Sequence, residues 1–240
     1  METKLHLVNK SRTSKIVGDI IFIHGIGGNN MITWHPKGKK DSYWPAWLGE
    51  DFPDTNIWSL HYPGEKTLWT SKGGDMSLSD RSLDVLNNLV NRDIGERPIY
   101  FMVHSLGGLL LKQMLRIGHE LGNPRWEQFV RNTKVIVFIA SPHSGSNLAS
   151  LASALNIYRP AKITQDLKAH CPHLRELGTW YSQKARNLGI QTYAYFETKK
   201  IGPTLVVDPT SADPKVEGCI PIPVDGNHFT ICTPATKESP

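Results

Sequence analysis

The sequence predicts an α/β fold, a mostly parallel central sheet covered by helices on both faces. Three observations carry this expectation. The continuous apolar runs "GDIIFIHG" (18–25), "RPIYFMVH" (97–104) and "TKVIVFIAS" (133–141) suit strands buried on both faces. Segments with apolar residues at helical spacing alternate with these runs. The 240 residues are 39% hydrophobic and 20% charged, which gives enough chain for one sizeable core.

The elements follow in order. After the strand at 18–25, "DSYWPAWLGEDF" (41–52) sets Trp44, Trp47 and Leu48 at i, i+3 and i+4, a short amphipathic helix stopped by Pro53. "NIWSLHY" (56–62) reads as a strand. "SLSDRSLDVLNNLVNRDI" (77–94) repeats leucine at helical spacing behind a serine-rich start that can cap it. The strand at 97–104 leads into a helix over 106–118, then the strand at 133–141. Residues 145–189 read as helical, broken at Pro160 and Pro172. "IQTYAYFET" (190–198) is a further strand. "CIPIPV" (219–224) is a last short one, whose two prolines suit a sheet edge. No repeat or linker interrupts the chain, and one domain over 1–240 is expected, with a lid or cap candidate at 144–189.

Composition excludes several classes. The formal charge is +5 and the pI about 9.0, but the basic residues are scattered. The densest run, Lys37, Lys39 and Lys40, reads first as a solvated loop. No nucleic-acid partner is expected; peripheral contact with an anionic membrane is the alternative use of that charge. Three cysteines, Cys171, Cys219 and Cys232, make neither a disulfide framework nor a zinc cluster. "HCPH" (170–173) has no metal-ligand spacing, so no metal and no cofactor are expected. The N-terminus lacks the apolar core of a signal peptide, and no run approaches the ~18 apolar residues of a membrane span. A cytoplasmic setting is expected. "GIGG" fits neither the G-x-G-x-x-G pattern nor a P-loop.

"FMVHSLGGLL" (101–110) raises the functional question. A nucleophilic serine needs an exposed turn, a base and donors for an oxyanion. A strand running into Ser105, with Leu106-Gly107-Gly108 opening a helix, supplies the turn and points free N–H groups at it. The pattern departs from G-x-S-x-G at Val103, which predicts a wider helix–strand crossing; the plain alternative is a glycine-rich junction that only packs. "FIHGIGGN" (22–29) ends the first buried strand where a second oxyanion donor belongs. The Ile26 N–H is the candidate to pair with the Leu106 N–H, and Gly27 is the runner-up.

His228, in "PVDGNHFTIC" (223–232), satisfies the chain order serine, acid, histidine and is the candidate base among ten histidines. His24, His104 and His143 flank strand ends and are candidate pocket residues. Glu197, at the end of "YAYFET", is the first candidate acid and Asp208 the second. Asp225 is read as shaping the histidine loop. Trp34 and Trp69, in loops, are candidates to line a cleft.

Taken together, "FIHGIGG", "TWHP", "WPAWLGEDFP", "VHSLGGLLLKQML", "ASPHSGSNLA", "FETKK" and "DGNHFTIC" resemble, in order, the blocks of the α/β-hydrolase superfamily, within it the serine esterase and lipase-like group of SERAC1-type proteins. The resemblance covers nearly the whole chain, and the group often lacks the first elbow glycine. It implies an α/β-hydrolase fold and a serine hydrolase of carboxylic esters, plausible substrates being lipid or phospholipid esters. Ser105 would be nucleophile, His228 base and Glu197 acid. Such domains also occur as modules beside regulatory domains in larger proteins. The chain ends twelve residues after His228, without the final helix many α/β hydrolases carry, which is expected of a compact variant or of a module from a longer protein. Acyl transfer would use the same residues, and a catalytically silent binding module is the rival from another class.

Overall fold

The computed structural model describes residues 2–25, 27–62, 76–143, 172–203 and 205–239, with backbone alone at 172 and 173. Seven strands form one sheet: β1 (Lys4–Asn9), β2 (Gly18–Ile23), β3 (Thr55–His61), β4 (Ile99–His104), β5 (Thr133–Ile139), β6 (Gln191–Glu197) and β7 (Ile222–Val224). Their order across the sheet is β1-β3-β2-β4-β5-β6-β7. Only β1 is antiparallel to its neighbour. The proline-bearing β7 lies at the edge, where a missing backbone donor costs no ladder bond.

The alternation of each strand divides its side chains between two layers. One layer buries Ile21, Ile23, Phe101, Val103, Ile136 and Phe138 beneath α2 (Leu78–Val90), α3 (Gly107–Glu120), α4 (Pro124–Asn132) and α5 (Pro172–Lys184). Helix α2 starts at Ser77, whose Oγ accepts the Asp80 N–H at 3.1 Å. The other layer is thinner. There Ile20, Phe22 and Ile57 meet Trp34, Trp44 and Cys232 beside helix α1 (Trp44–Asp51). A groove of about 390 Å³ on this side runs between Trp44, Trp47, Met102, Val137, Tyr195 and Val224.

Two elements go beyond the sequence reading. β1 is an edge strand with a bulge between Leu7 and Asn9, so its alternation is broken. The nine-residue α4 carries its own start signals, with Asn123 capping the N–H groups of Arg125 and Trp126 and Pro124 at the first position. Of the lid candidate, residues 144–171 lie outside the described residues. The remainder forms α5, whose Leu174, Leu177 and Tyr181 belong to the main core. No helix among the described residues is long and apolar enough to cross a membrane.

Six parallel strands bring their carboxyl ends to one edge of the sheet. The segments after β2, β4, β5, β6 and β7 therefore meet there, where α/β folds assemble their sites.

Candidate active site

Ser105 sits between β4 and α3 with φ of +54°, a left-handed conformation that a residue with a Cβ adopts only when its surroundings enforce it. Three contacts do so. The Ser105 N–H donates to the Ile139 carbonyl at 2.9 Å, tying the turn to the end of β5. A Cβ on Gly107 would stand 2.7 Å from the His24 carbonyl oxygen, and one on Gly108 2.5 Å from Ser141 Oγ. These two glycines let α3 press against the ends of β2 and β5. Val103, in place of the first elbow glycine, is fully buried within the core instead.

The turn after β7 brings His228 over the serine. The Ser105 hydroxyl is 2.9 Å from His228 Nε2. On the far side, His228 Nδ1 is 3.6 Å from Glu197 Oε1, within ion-pair range but long for a hydrogen bond. All three are buried, at 2%, 1% and 0% exposure. Register places the acid: Glu197 pairs with Val224, and β7 then turns directly into the histidine loop. The Val207 N–H holds Glu197 Oε1 at 2.6 Å. Among the described residues, Glu197 Oε2 and His228 Nδ1 have no hydrogen-bond partner. Separations of this kind commonly shorten when substrate binds.

Asp208, the alternative acid, caps its own turn by accepting the Ser211 N–H at 2.8 Å. Asp225 is exposed and pairs with Lys199 at 2.9 Å, bracing the β7 turn from outside. Of the oxyanion candidates, Ile26 lies outside the described residues. The Leu106 N–H opens α3 beside the serine and makes no hydrogen bond among the described residues. The loop after β2 crosses Ser105 closely: a Cβ on Gly25 would lie 2.6 Å from Ser105 Cβ. Gly27, next on that loop, has φ of +72°.

The three histidines expected in the pocket are buried in the scaffold around it. His104 Nε2 donates to the His228 carbonyl at 2.8 Å and so fastens the His228 loop to β4. Burial, with His228 beside it, pushes the His104 pKa down to about 3, which keeps it neutral. His24 Nδ1 donates to the Gly25 carbonyl at 2.8 Å, and its ring stacks on Tyr62 at 4.5 Å. Burial lowers it to about 4. His143 Nδ1 accepts from the Lys112 amine at 2.6 Å, while its backbone N–H donates to the Ser211 carbonyl at 2.6 Å. Trp34 does not line a cleft: it is fully buried, edge-on to Phe22 and Trp44. Trp69 lies outside the described residues.

Sequence reading passed over Lys112. It is fully buried two turns beyond Ser105 on α3, between the rings of Phe138 and Tyr181. Burial drops its pKa to about 7. A signal was available, since "LLLKQML" is apolar on every side of a helix and leaves its lysine no route to water.

A strained serine between a parallel strand and a helix, with a histidine and a carboxylate from later strand ends, defines the α/β-hydrolase class, and the chain has that fold. Solved structures share it: Bacillus licheniformis lipase BlEst2 in mature form (TM-score 0.64, 14% identity, 95% of this chain and 92% of that one), and a lipase-esterase related protein from Clostridium acetobutylicum (TM-score 0.55, 15% identity, 97% and 94%). The family described as "Putative serine esterase (DUF676)" matches residues 13–188, and the chain belongs to it. The protein SERAC1 of Danio rerio is 31% identical over 249 residues, and that of Homo sapiens 31% over 252 residues. These matches cover 93% and 95% of this chain but 37% and 38% of those proteins, so the chain spans little more than a third of their length.

Proposed function

We propose that the protein hydrolyses carboxylic esters through an acyl-enzyme on Ser105. The observation that carries this is the 2.9 Å approach of the Ser105 hydroxyl, on its left-handed turn, to His228 Nε2. The Ser105 proton passes to His228 as Oγ attacks the ester carbonyl. Glu197 stabilises the imidazolium through Nδ1. The Leu106 N–H, with an N–H of the 25–27 loop, receives the charge on the tetrahedral oxygen. His228 then protonates the leaving alcohol and activates the water that frees the acid.

Lipid or phospholipid esters are the proposed substrates. Lipases share this fold, and a Legionella pneumophila phospholipase, PlaB, does so over 76% of this chain at TM-score 0.52. A reducing, cytoplasmic setting belongs to the same reading, with Cys219 and Cys232 as free thiols.

Intact-mass spectrometry after exposure to a fluorophosphonate tests the proposal. One adduct on the wild type, lost in Ser105→Ala and His228→Ala, is the expected result. A folded wild type that takes no adduct and cleaves no ester would leave the fold as a binding module.

A further inference from the structure

Large apolar side chains exposed singly are ordinary. Here four of them lie on segments at the carboxyl edge of the sheet. Met31 (45% exposed) and Ile32 (59%) lie on the segment after β2, Met76 (42%) immediately precedes α2, and Phe229 (46%) follows His228. The side chain of Asn29 holds the first pair in place, its Oδ1 accepting the N–H groups of Met31 and Ile32 at 2.8 and 2.7 Å. Cys232 joins the two turns, with its Sγ 3.2 Å from the Thr33 carbonyl and 3.4 Å from the Phe229 carbonyl. Ile32 and Phe229 are thus carried by adjoining turns, with the buried His228 in one of them.

The same β2–α1 segment carries Lys37, Lys39 and Lys40, all exposed, against one carboxylate, Asp41. None of the three lysines forms an ion pair among the described residues. Another lysine at this edge, Lys199, is by contrast neutralised by Asp225. Apolar tips beside unpaired lysines are the composition that lies on an anionic bilayer: the tips enter the headgroup boundary and the ammonium groups meet lipid phosphates.

We propose that this rim docks the protein onto the surface of a bilayer containing anionic phospholipid, with Met31, Ile32 and Phe229 inserted and Lys37, Lys39 and Lys40 on the headgroups. The inference rests on the esterase reading for its purpose, the delivery of a lipid ester to Ser105. The binding itself needs no turnover.

The experiment is sedimentation of the full chain, as Ser105→Ala so that nothing is hydrolysed, with phosphatidylcholine vesicles with and without phosphatidylserine. Binding is expected only with phosphatidylserine, and it should fall steeply with added salt. Lys37→Gln, Lys39→Gln and Lys40→Gln together should weaken it about 100-fold. Met31→Ser with Ile32→Ser should weaken it at every salt concentration. In the wild-type background the lysine substitutions should leave hydrolysis of a short soluble ester unchanged. Absence of binding to phosphatidylserine vesicles at low salt, or a lysine-substituted protein that binds as tightly as its parent, overturns the docking and leaves the esterase reading standing. Vesicle binding by the Ser105→Ala chain, together with a folded wild type that takes no fluorophosphonate, overturns the esterase reading and leaves the docking.

Discussion

Two buried histidines about equally hidden from water invite comparison. His228 and His143 both follow strands of the same sheet, and each has one ring nitrogen within 3 Å of a side chain with nucleophilic capacity, Ser105 Oγ at 2.9 Å and Lys112 Nζ at 2.6 Å. What differs is the opposite side of each ring. His228 has Glu197 behind it, so a proton arriving at Nε2 produces a cation that a carboxylate can stabilise. His143 has an edge-on Phe138 beside it, a neighbouring amine, and no partner on Nε2 among the described residues. A proton there would create an uncompensated charge next to another base, and burial with Lys112 alongside pulls the His143 pKa well below its ordinary value. Burial and a close partner are common to both histidines. The placement of one carboxylate is what separates the surroundings of the two rings.

The largest expected effect breaks the first side of this comparison. Ser105→Ala and His228→Ala should each lower ester turnover by at least about 10⁴-fold without unfolding, because residues acting as one unit fail together. Steady-state kinetics with circular dichroism as the fold control measure this. Activity near wild type in either variant would remove the assignment.

Next comes the carboxylate. Glu197→Gln keeps the shape but loses the charge, and turnover should fall by about 10²- to 10⁴-fold with little change in KM. Asp208→Asn, altering a carboxylate engaged in its own turn, should stay close to wild type in the same assay. The reverse ranking would exchange their roles.

A smaller loss is expected at Gly25. A methyl group there would stand 2.6 Å from Ser105 Cβ, so Gly25→Ala must displace either the loop or the nucleophile. Misplacement of reacting groups by this order costs about 10²-fold, seen in kcat more than in KM. An unchanged kcat would mean that the 25–27 loop takes no part in the chemistry.

The smallest effect on rate, and one of opposite sign on stability, belongs to Lys112→Met. The folded-state pKa of about 7 lies below the ordinary 10.5, so between these values the unfolded chain binds the extra proton and wild-type stability rises with pH. Below about pH 7 the buried amine is charged at full cost. Methionine removes the buried charge at the cost of the hydrogen bond to His143 Nδ1: it should raise stability most at acid pH, and it should abolish a slope of up to about 1.4 kcal/mol per pH unit between 7 and 10. Urea unfolding of both proteins across that range reads the difference directly. Parallel curves would mean that Lys112 is not titrating in the fold, and a large loss of turnover would give the second histidine a part in the first one's work.

Much of this architecture was legible in the chain. The runs at 18–25, 97–104 and 133–141 suited strands with two covered faces, and "HSLGG" marked its own turn because small residues after a buried strand allow a helix to start at close quarters. The short β1 was hidden by its bulge. α4 was overlooked although Asn123-Pro124 announces it. The sequence ranked Glu197, at the end of its strand, ahead of Asp208, which follows that strand, but left both open. Sheet register separates them: Glu197 beside Val224 stands one short turn from His228, whereas Asp208 is turned toward Ser211.

The sequence by itself thus determined the fold class, the Ser105 turn and the late His228 loop, because periodicity and turn chemistry are local properties. Tertiary structure alone decided which carboxylate faces His228, that Lys112 is sealed against His143, and that Met31, Ile32 and Phe229 share a rim. Each of these joins residues far apart in the chain, and such distances are set by strand order and register rather than by any neighbouring residue.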